Sequence, residues 1–160
     1  MLTSPFFRRL FLPYLLLICA ATAGVGVFAA RTVHATYVDR QTAALRSNLR
    51  LVAADLAPRL ATGGEPSAID ARVKQMGAAI GNRITIMRDD GVVIADSDAD
   101  PASMENHGQR PEFAAAIHRG EGDEQRPSAT VHTDLLYLAR AVEDLDGNPV
   151  KGPAGQTYYA

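Results

Sequence analysis

At residues 83–96 the chain reads RITIMRDDGVVIAD. Polar and apolar residues alternate from Arg83 to Arg88, and a second apolar run returns from Val92. A period of two is typical of a β-strand with one buried face. The Asp90-Gly91 pair between two such runs is a strong signal for a tight antiparallel turn. The stretch therefore predicts a β-hairpin.

Two helices are predicted before the hairpin. The first covers residues 31–61 and the second residues 66–80, and glycines follow both. Apolar residues recur on one stripe of the first helix at steps of three, four and seven: Val33, Tyr37, Val38, Leu45, Leu49, Val52, Leu56 and Leu60. The second helix has an apolar face of Ile69, Val73, Met76 and Ile80. For the first helix two arrangements remain open: its first half pairs with a second copy, or the whole stripe packs on its own domain.

The segment after the hairpin begins as a polar loop at residues 97–109. A short helix is predicted at Pro111–Arg119, with Phe113 and Ile117 facing inward and Gly120 ending it. Residues 120–127 are charged and lack large apolar side chains, so we expect an exposed loop there.

More strands are predicted in the last third of the chain. Residues 128–133 and 135–142 are expected to form a second strand pair, followed by a turn at residues 146–149. Residues 157–160 resemble the start of a fifth strand, so we expect a truncated domain, because a half-made sheet edge is costly. Helices first and an antiparallel sheet of four to five strands afterwards predict an α+β fold.

An apolar run at residues 10–30 carries no charged side chain. Twenty or so such residues in a helix match the thickness of a bilayer core. Arg8 and Arg9 precede the run and Arg31 follows it, which favours a cytoplasmic tail at residues 1–9 and an extracytoplasmic domain at residues 31–160. The alternative is a signal peptide cleaved after Ala29, which also exports the domain.

Composition excludes several classes of function. The formal net charge is −2 and residues 1–30 hold two arginines and no acid, so the remainder is more acidic still. An acidic domain without a basic stripe argues against a nucleic-acid partner. Cys19 is the only cysteine and lies in the apolar run, so no disulfide forms within the chain. No cofactor is expected.

One longer segment suggests a family. The sequence DGVVIADSDADPASMENHGQRPEF at residues 90–113, together with LLYLARAV at residues 135–142 and the N-terminal apolar run, resembles the extracytoplasmic sensor region of phosphate-regulon-type sensor histidine kinases. Such regions are similar to PAS-like or single-Cache domains. The resemblance covers the N-terminal part of these proteins, and no catalytic core of a kinase is present in this sequence.

The loop within that segment concentrates polar groups. A small polar ligand could be held by Asn106, His107 and Arg110, and the resemblance implies a place for Tyr137 beside it. A divalent cation could instead be held by Asp96, Asp98, Asp100 and Glu105. The third possibility is structural, with these side chains ending a strand, capping the next helix and forming ion pairs.

The sequence therefore predicts the sensing part of a two-component histidine kinase in the inner (plasma) membrane. The expected partners are a second copy, bound through the helix at residues 31–61, and a response regulator that only a kinase region would contact. The alternatives are the sensor half of a chemoreceptor or nucleotide cyclase, or a stand-alone membrane-anchored binding protein.

Overall fold

A computed structural model describes residues 5–127 and 134–160. The chain consists of two compact units, one ending at Gln41 and the other spanning Thr42–Ala160. The helices are α1 (Pro5–Ala61), α2 (Pro66–Ile80) and α3 (Pro111–Arg119), with a 3₁₀ turn at Pro101–Ser103. The strands are β1 (Thr85–Arg88), β2 (Val93–Asp96), β3 (Glu121–Pro127), β4 (Asp134–Arg140) and β5 (Tyr158–Tyr159).

The first unit consists of the N-terminal part of α1. Its apolar window has a mean hydropathy of 2.1 and no buried residue, so by length and composition α1 could cross a membrane. Threonine hydroxyls in this part are paired inside the helix: Thr22 Oγ1 donates to the Ile18 carbonyl at 2.8 Å and Thr32 Oγ1 to the Phe28 carbonyl at 2.9 Å. Such bonding to the preceding turn leaves few polar groups for lipid to solvate.

The second unit contains an antiparallel sheet centred on β5. One side of β5 pairs with β1, in the register Met87 to Tyr159. The other side meets the end of β4, where the amides and carbonyls of Arg140 and Ala160 exchange two hydrogen bonds of 2.9 Å. The strands thus form a three-stranded sheet in the order β2-β1-β5 and a two-stranded sheet of β3 and β4, and an isolated antiparallel bridge between Ala141 and Tyr159 links the two.

Neighbouring residues on the central strands pack into two different hydrophobic cores. Ile86 and Tyr158 belong to a core with the end of α1 and with α2, whereas Met87 and Tyr159 belong to a second core with α3. The Phe113 ring of α3 meets Tyr159 edge to face, with centroids 5.2 Å apart. Because successive strand residues point to opposite faces, helices cover both sides of the sheet.

Most of the predicted elements are confirmed. The helix ending at Ala61, the helix at residues 66–80, the hairpin and the short helix lie where the sequence placed them. Gly120 has a φ of 84° after α3, a conformation that favours glycine and ends the helix as expected. The α+β class is likewise confirmed.

Two expectations were wrong. Residues 120–127, expected to be a loop, contain β3, whose residues pair in continuous register with β4. Main-chain bonding holds this strand, so it needs no apolar side chains. Ile117, expected inward, is exposed, because Phe113 and Ala116 occupy the buried face of α3. The predicted strand at residues 128–133 lies outside the described residues.

The apolar stripe of the first helix is fully buried only near its end. Val52, Leu56 and Leu60 lie in the core of the second unit. Val33 and Tyr37 of the first unit are exposed. The end of α1 is therefore a structural part of the folded domain.

We expect Leu56→Ala to lower the free energy of unfolding by about 2–5 kcal/mol, since it removes a buried side chain and leaves a cavity. Leu51→Ala, in the same helix, is the control and should cost less than about 0.5 kcal/mol. Leu56 is 0% exposed and Leu51 is 63% exposed. Denaturant unfolding of the full chain in micelles, followed by tyrosine fluorescence, measures both, and equal losses would contradict this packing.

Candidate functional site

The carboxylate of Asp96 accepts hydrogen bonds from two side chains and two backbone amides. It is fully buried at the end of β2. It accepts hydrogen bonds from Thr85 Oγ1 at 2.6 Å and from the amides of Asp98 and Ala99, both at 2.9 Å. Arg83 Nε donates to both oxygens at 3.1 and 3.2 Å. These bonds fix the turn that leaves the hairpin.

Opposing effects set the charge of this carboxyl. Burial raises the pKa of Asp96, because a charged group loses solvent. The hydrogen bonds from Thr85, from the backbone amides and from Arg83 outweigh it, so the net pKa lies below the ordinary 3.8. Asp96 is therefore ionised at neutral pH and serves as an anionic anchor inside the domain.

The other predicted cation ligands have separate surroundings. Asp98 accepts from Ser97 Oγ at 2.6 Å, and Asp100 caps the 3₁₀ turn by accepting from the Ala102 amide at 3.0 Å. Glu105 is exposed. Within residues 5–127 and 134–160 no three His, Cys, Asp or Glu side chains are grouped so that they could hold a metal ion. The structure does not bring the four acidic residues together.

Residues 104–110, called the clamp loop below, fasten onto the turn between β1 and β2. The Asn106 side chain donates to the Asp90 carbonyl at 2.8 Å, and the His107 amide donates to the Gly91 carbonyl at 2.9 Å. The Asn106 side chain also accepts from the Gly108 amide at 2.7 Å. Gly91 has a φ of 79°, and a Cβ there would lie 2.4 Å from the Gly108 nitrogen. The loop and the turn are therefore in direct backbone contact.

The His107 side chain of the clamp loop is buried. It is 3% exposed, and neither Nδ1 nor Nε2 has a hydrogen-bond partner. Burial lowers the pKa of His107 below its ordinary 6.5, and the positive charge of Arg110 lowers it further. The imidazole is therefore neutral at pH 7.

The predicted ligand residues are only partly brought together. Asn106, His107 and Arg110 are neighbours in the clamp loop, but the Asn106 amide is used in the clamp and the imidazole is buried. Tyr137 lies on β4 opposite Glu124 of β3, and β5 separates that strand from the hairpin. Ligand contact by these four residues stays a prediction.

Two clefts that the sequence did not predict run beside the end of α1. Their volumes are about 250 Å³ and about 430 Å³, and both lie against the segment that follows β4. Ala54 and Leu145 line both clefts, and Leu145 is almost fully exposed. Charged groups surround the apolar floor: Arg50, Arg140, Glu143, Asp144, Asp146 and Lys151. The only feature of the sequence that points to these clefts is a run of small residues on α1. Such a run is equally consistent with close packing of the helix against a neighbour.

We expect Asp96→Asn to lower the free energy of unfolding by about 1–3 kcal/mol. The asparagine NH₂ group would face hydrogen-bond donors that now donate to a carboxylate oxygen. Asp98→Asn, at an exposed position, is the control. With a pKa below that of the unfolded chain, Asp96 stabilises the fold above pH 3.8, and this contribution is lost as the pH falls through the folded-state pKa. Denaturant unfolding as a function of pH measures this. A loss no greater than that of Asp98→Asn would contradict the anchoring role.

Comparison with known proteins connects this architecture to a family. The family profile described as single Cache-like matches residues 54–152, which include the end of α1, the hairpin, the clamp loop and the segment after β4. No curated protein matches the chain in sequence. The match covers more than half of the chain and agrees with the antiparallel sheet flanked by helices. The chain therefore belongs to the single Cache-like family, and its domain is an extracytoplasmic sensor domain.

Proposed function

We propose that this chain is the signal-sensing part of a two-component sensor histidine kinase of the phosphate-regulon type. The observation that carries the proposal is a single Cache-like sensor domain preceded by one apolar helix long enough to cross a bilayer. The resemblance of residues 90–113 to the sensor regions of such kinases supports the specific type of output. A cognate response regulator would be reached only through the kinase region.

The proposed arrangement places residues 10–30 in the plasma membrane. Arg8 and Arg9 before the span favour residues 1–9 in the cytoplasm, and the sensor family favours the rest of the chain outside. Because α1 continues to Ala61, one helix includes both the span and part of the sensor core. A piston or rotation of this helix would then carry the signal inward.

The clefts beside α1 are the region where we propose that a small polar ligand binds. Their apolar floor includes Ala53 and Ala57, and charged groups stand at the edges. This mixture is typical of sites for small molecules. A ligand there would touch α1 directly, and so would favour one position of the helix over another.

The kinase assignment is tested on the membrane protein that the complete coding sequence produces. We expect the reading frame after codon 160 to encode a second apolar span, a phosphoacceptor-histidine helix and an ATP-binding domain. Membranes containing that protein should incorporate the γ-phosphate of ATP into an acid-labile phosphohistidine. A stop codon directly after codon 160, or a chemoreceptor or cyclase domain in its place, would reject the kinase.

The same assay tests the clefts. Ala54 lines both clefts, so Ala54→Trp places an indole at their shared wall, and we expect it to change the extent of autophosphorylation in membranes. Ala79→Trp, at an exposed position of α2, is the matched control and should leave phosphorylation unchanged. If both variants autophosphorylate to the same extent, the proposal that the clefts take part in signalling is wrong.

A second copy of the chain is the partner that we propose for the helix at residues 31–61. Val33 and Tyr37 expose apolar side chains on one face of this helix. In a Cys19→Ala background, we expect Tyr37→Cys to be cross-linked by a membrane-impermeant bis-maleimide in intact spheroplasts. Asp39→Cys, on the other side of the helix, should cross-link much less.

The cross-linking experiment has two distinguishable failures. If Tyr37→Cys reacts only after the cells are lysed, the extracytoplasmic placement is wrong. If Tyr37→Cys reacts in intact spheroplasts but no more dimer forms than with Asp39→Cys, the proposed pairing face is wrong.

A further inference from the structure

We infer that the clamp loop is an acid-operated latch, in which protonation of the buried His107 imidazole releases residues 104–110 from the turn between β1 and β2. The inference does not depend on the kinase assignment. It rests on the burial of His107, on its two unpartnered ring nitrogens, and on the contacts that the loop makes with the turn.

The surroundings of the imidazole favour its neutral form. Four charged groups act on it: Arg110 and Glu105 of the clamp loop, and Arg83 and Asp96 of the hairpin. The two arginines oppose protonation and the two acids favour it, while burial opposes it more than any single charge. Asp96 accepts bonds from Thr85, Arg83 and the backbone, so part of its charge is already compensated.

Protonation would add a second N–H donor to a side chain that has no acceptor for the first. A buried charge without partners costs far more free energy than the same charge in water. The low-energy response is to expose the ring, and exposing it means lifting the loop. That movement breaks the bond from the His107 amide to the Gly91 carbonyl and the bond from Asn106 to the Asp90 carbonyl.

The turn that the loop holds is also tied to the centre of the sheet. The Asp89 amide donates to the Thr157 carbonyl at 2.9 Å, and the Thr157 amide donates to the Asp89 carboxylate at 3.0 Å. Thr157 directly precedes β5. Releasing the clamp loop therefore removes one set of contacts from the turn between β1 and β2. The other contacts of this turn hold Thr157, and so position β5.

The direction of the pH effect follows from linkage. Above the ordinary histidine pKa of 6.5 the ring is neutral in both the latched and the released loop, so pH has no effect. Below it the exposed ring takes up a proton and the buried ring does not, which favours release. The release equilibrium should rise by up to about tenfold by about pH 5.5, and the rise ends below the pKa of the buried ring.

Hydrogen exchange of the full chain in lipid nanodiscs tests the latch. Labelling is done at about pH 7.5 and about pH 5.5, with times scaled for the intrinsic exchange rate. In the unmodified chain and in the control His118→Asn, whose histidine is exposed on α3, protection of peptides covering residues 89–91 and 104–110 should fall at the lower pH, by up to about tenfold. In His107→Phe, which keeps a ring that cannot titrate, protection should stay constant.

Two results would overturn the latch: an unmodified chain that keeps its protection at the lower pH, or an equal loss in His107→Phe. Should circular dichroism show that His107→Phe is unfolded, NMR titration of the four histidines in the unmodified chain decides instead. A His107 pKa below 6.5, with the Gly91 and Gly108 amide signals changing in the same pH range, supports the latch. A His107 pKa at or above 6.5, or amide signals that do not change, overturns it.

Discussion

The structure depends on the main-chain pairing of β5 with two neighbours at once. Tyr159 lies beside Met87 of β1 on one side and Ala141 on the other. Without this strand the hairpin and the β3–β4 pair would be two separate ribbons, and isolated two-stranded ribbons are marginal in water. The alternation of Tyr158 and Tyr159 between opposite faces also divides the apolar residues into two cores, so one short strand joins the sheet and orders the helices around it.

The candidate site follows from this arrangement. The β1–β2 hairpin ends at the Asp96 anchor, and its turn lies between Thr157 on one side and the clamp loop on the other. The clefts lie elsewhere, along the end of α1, whose buried residues Val52 and Leu56 belong to the sensor core. The domain thus has two clefts along the end of α1 and a separate loop that is held to the hairpin turn by polar contacts and contains a neutral, buried imidazole.

Elements with a regular pattern of side chains could be predicted from the sequence. The long helix, the helix at residues 66–80, the hairpin and α3 follow from periodicity and from glycines, which are local signals. β3 could not be predicted, because Glu121 and its neighbours carry no apolar alternation and the strand exists through bonding to β4. The burial of His107 was equally hidden: a histidine in a polar loop gives no sign that a turn distant in sequence will cover it. Asp96 was noticed as a polar residue, but its role as an anchor depends on donors from Arg83 and Thr85 that only the folded hairpin aligns.

The charged side chains of β3 affect how readily the protein aggregates while it folds. Pairing of Arg88 with Tyr158 joins distant parts of the chain, and such sheets close slowly. Until closure, incomplete sheet edges are open to strands from other molecules, which is a common start of aggregation. Among the described residues β4 is the only strand beside β3, and Glu121, Asp123 and Glu124 lie in the first four residues of β3. Acidic side chains on β3 disfavour pairing with the same segment of another copy, so they act as gatekeepers while the domain folds outside the cytoplasm.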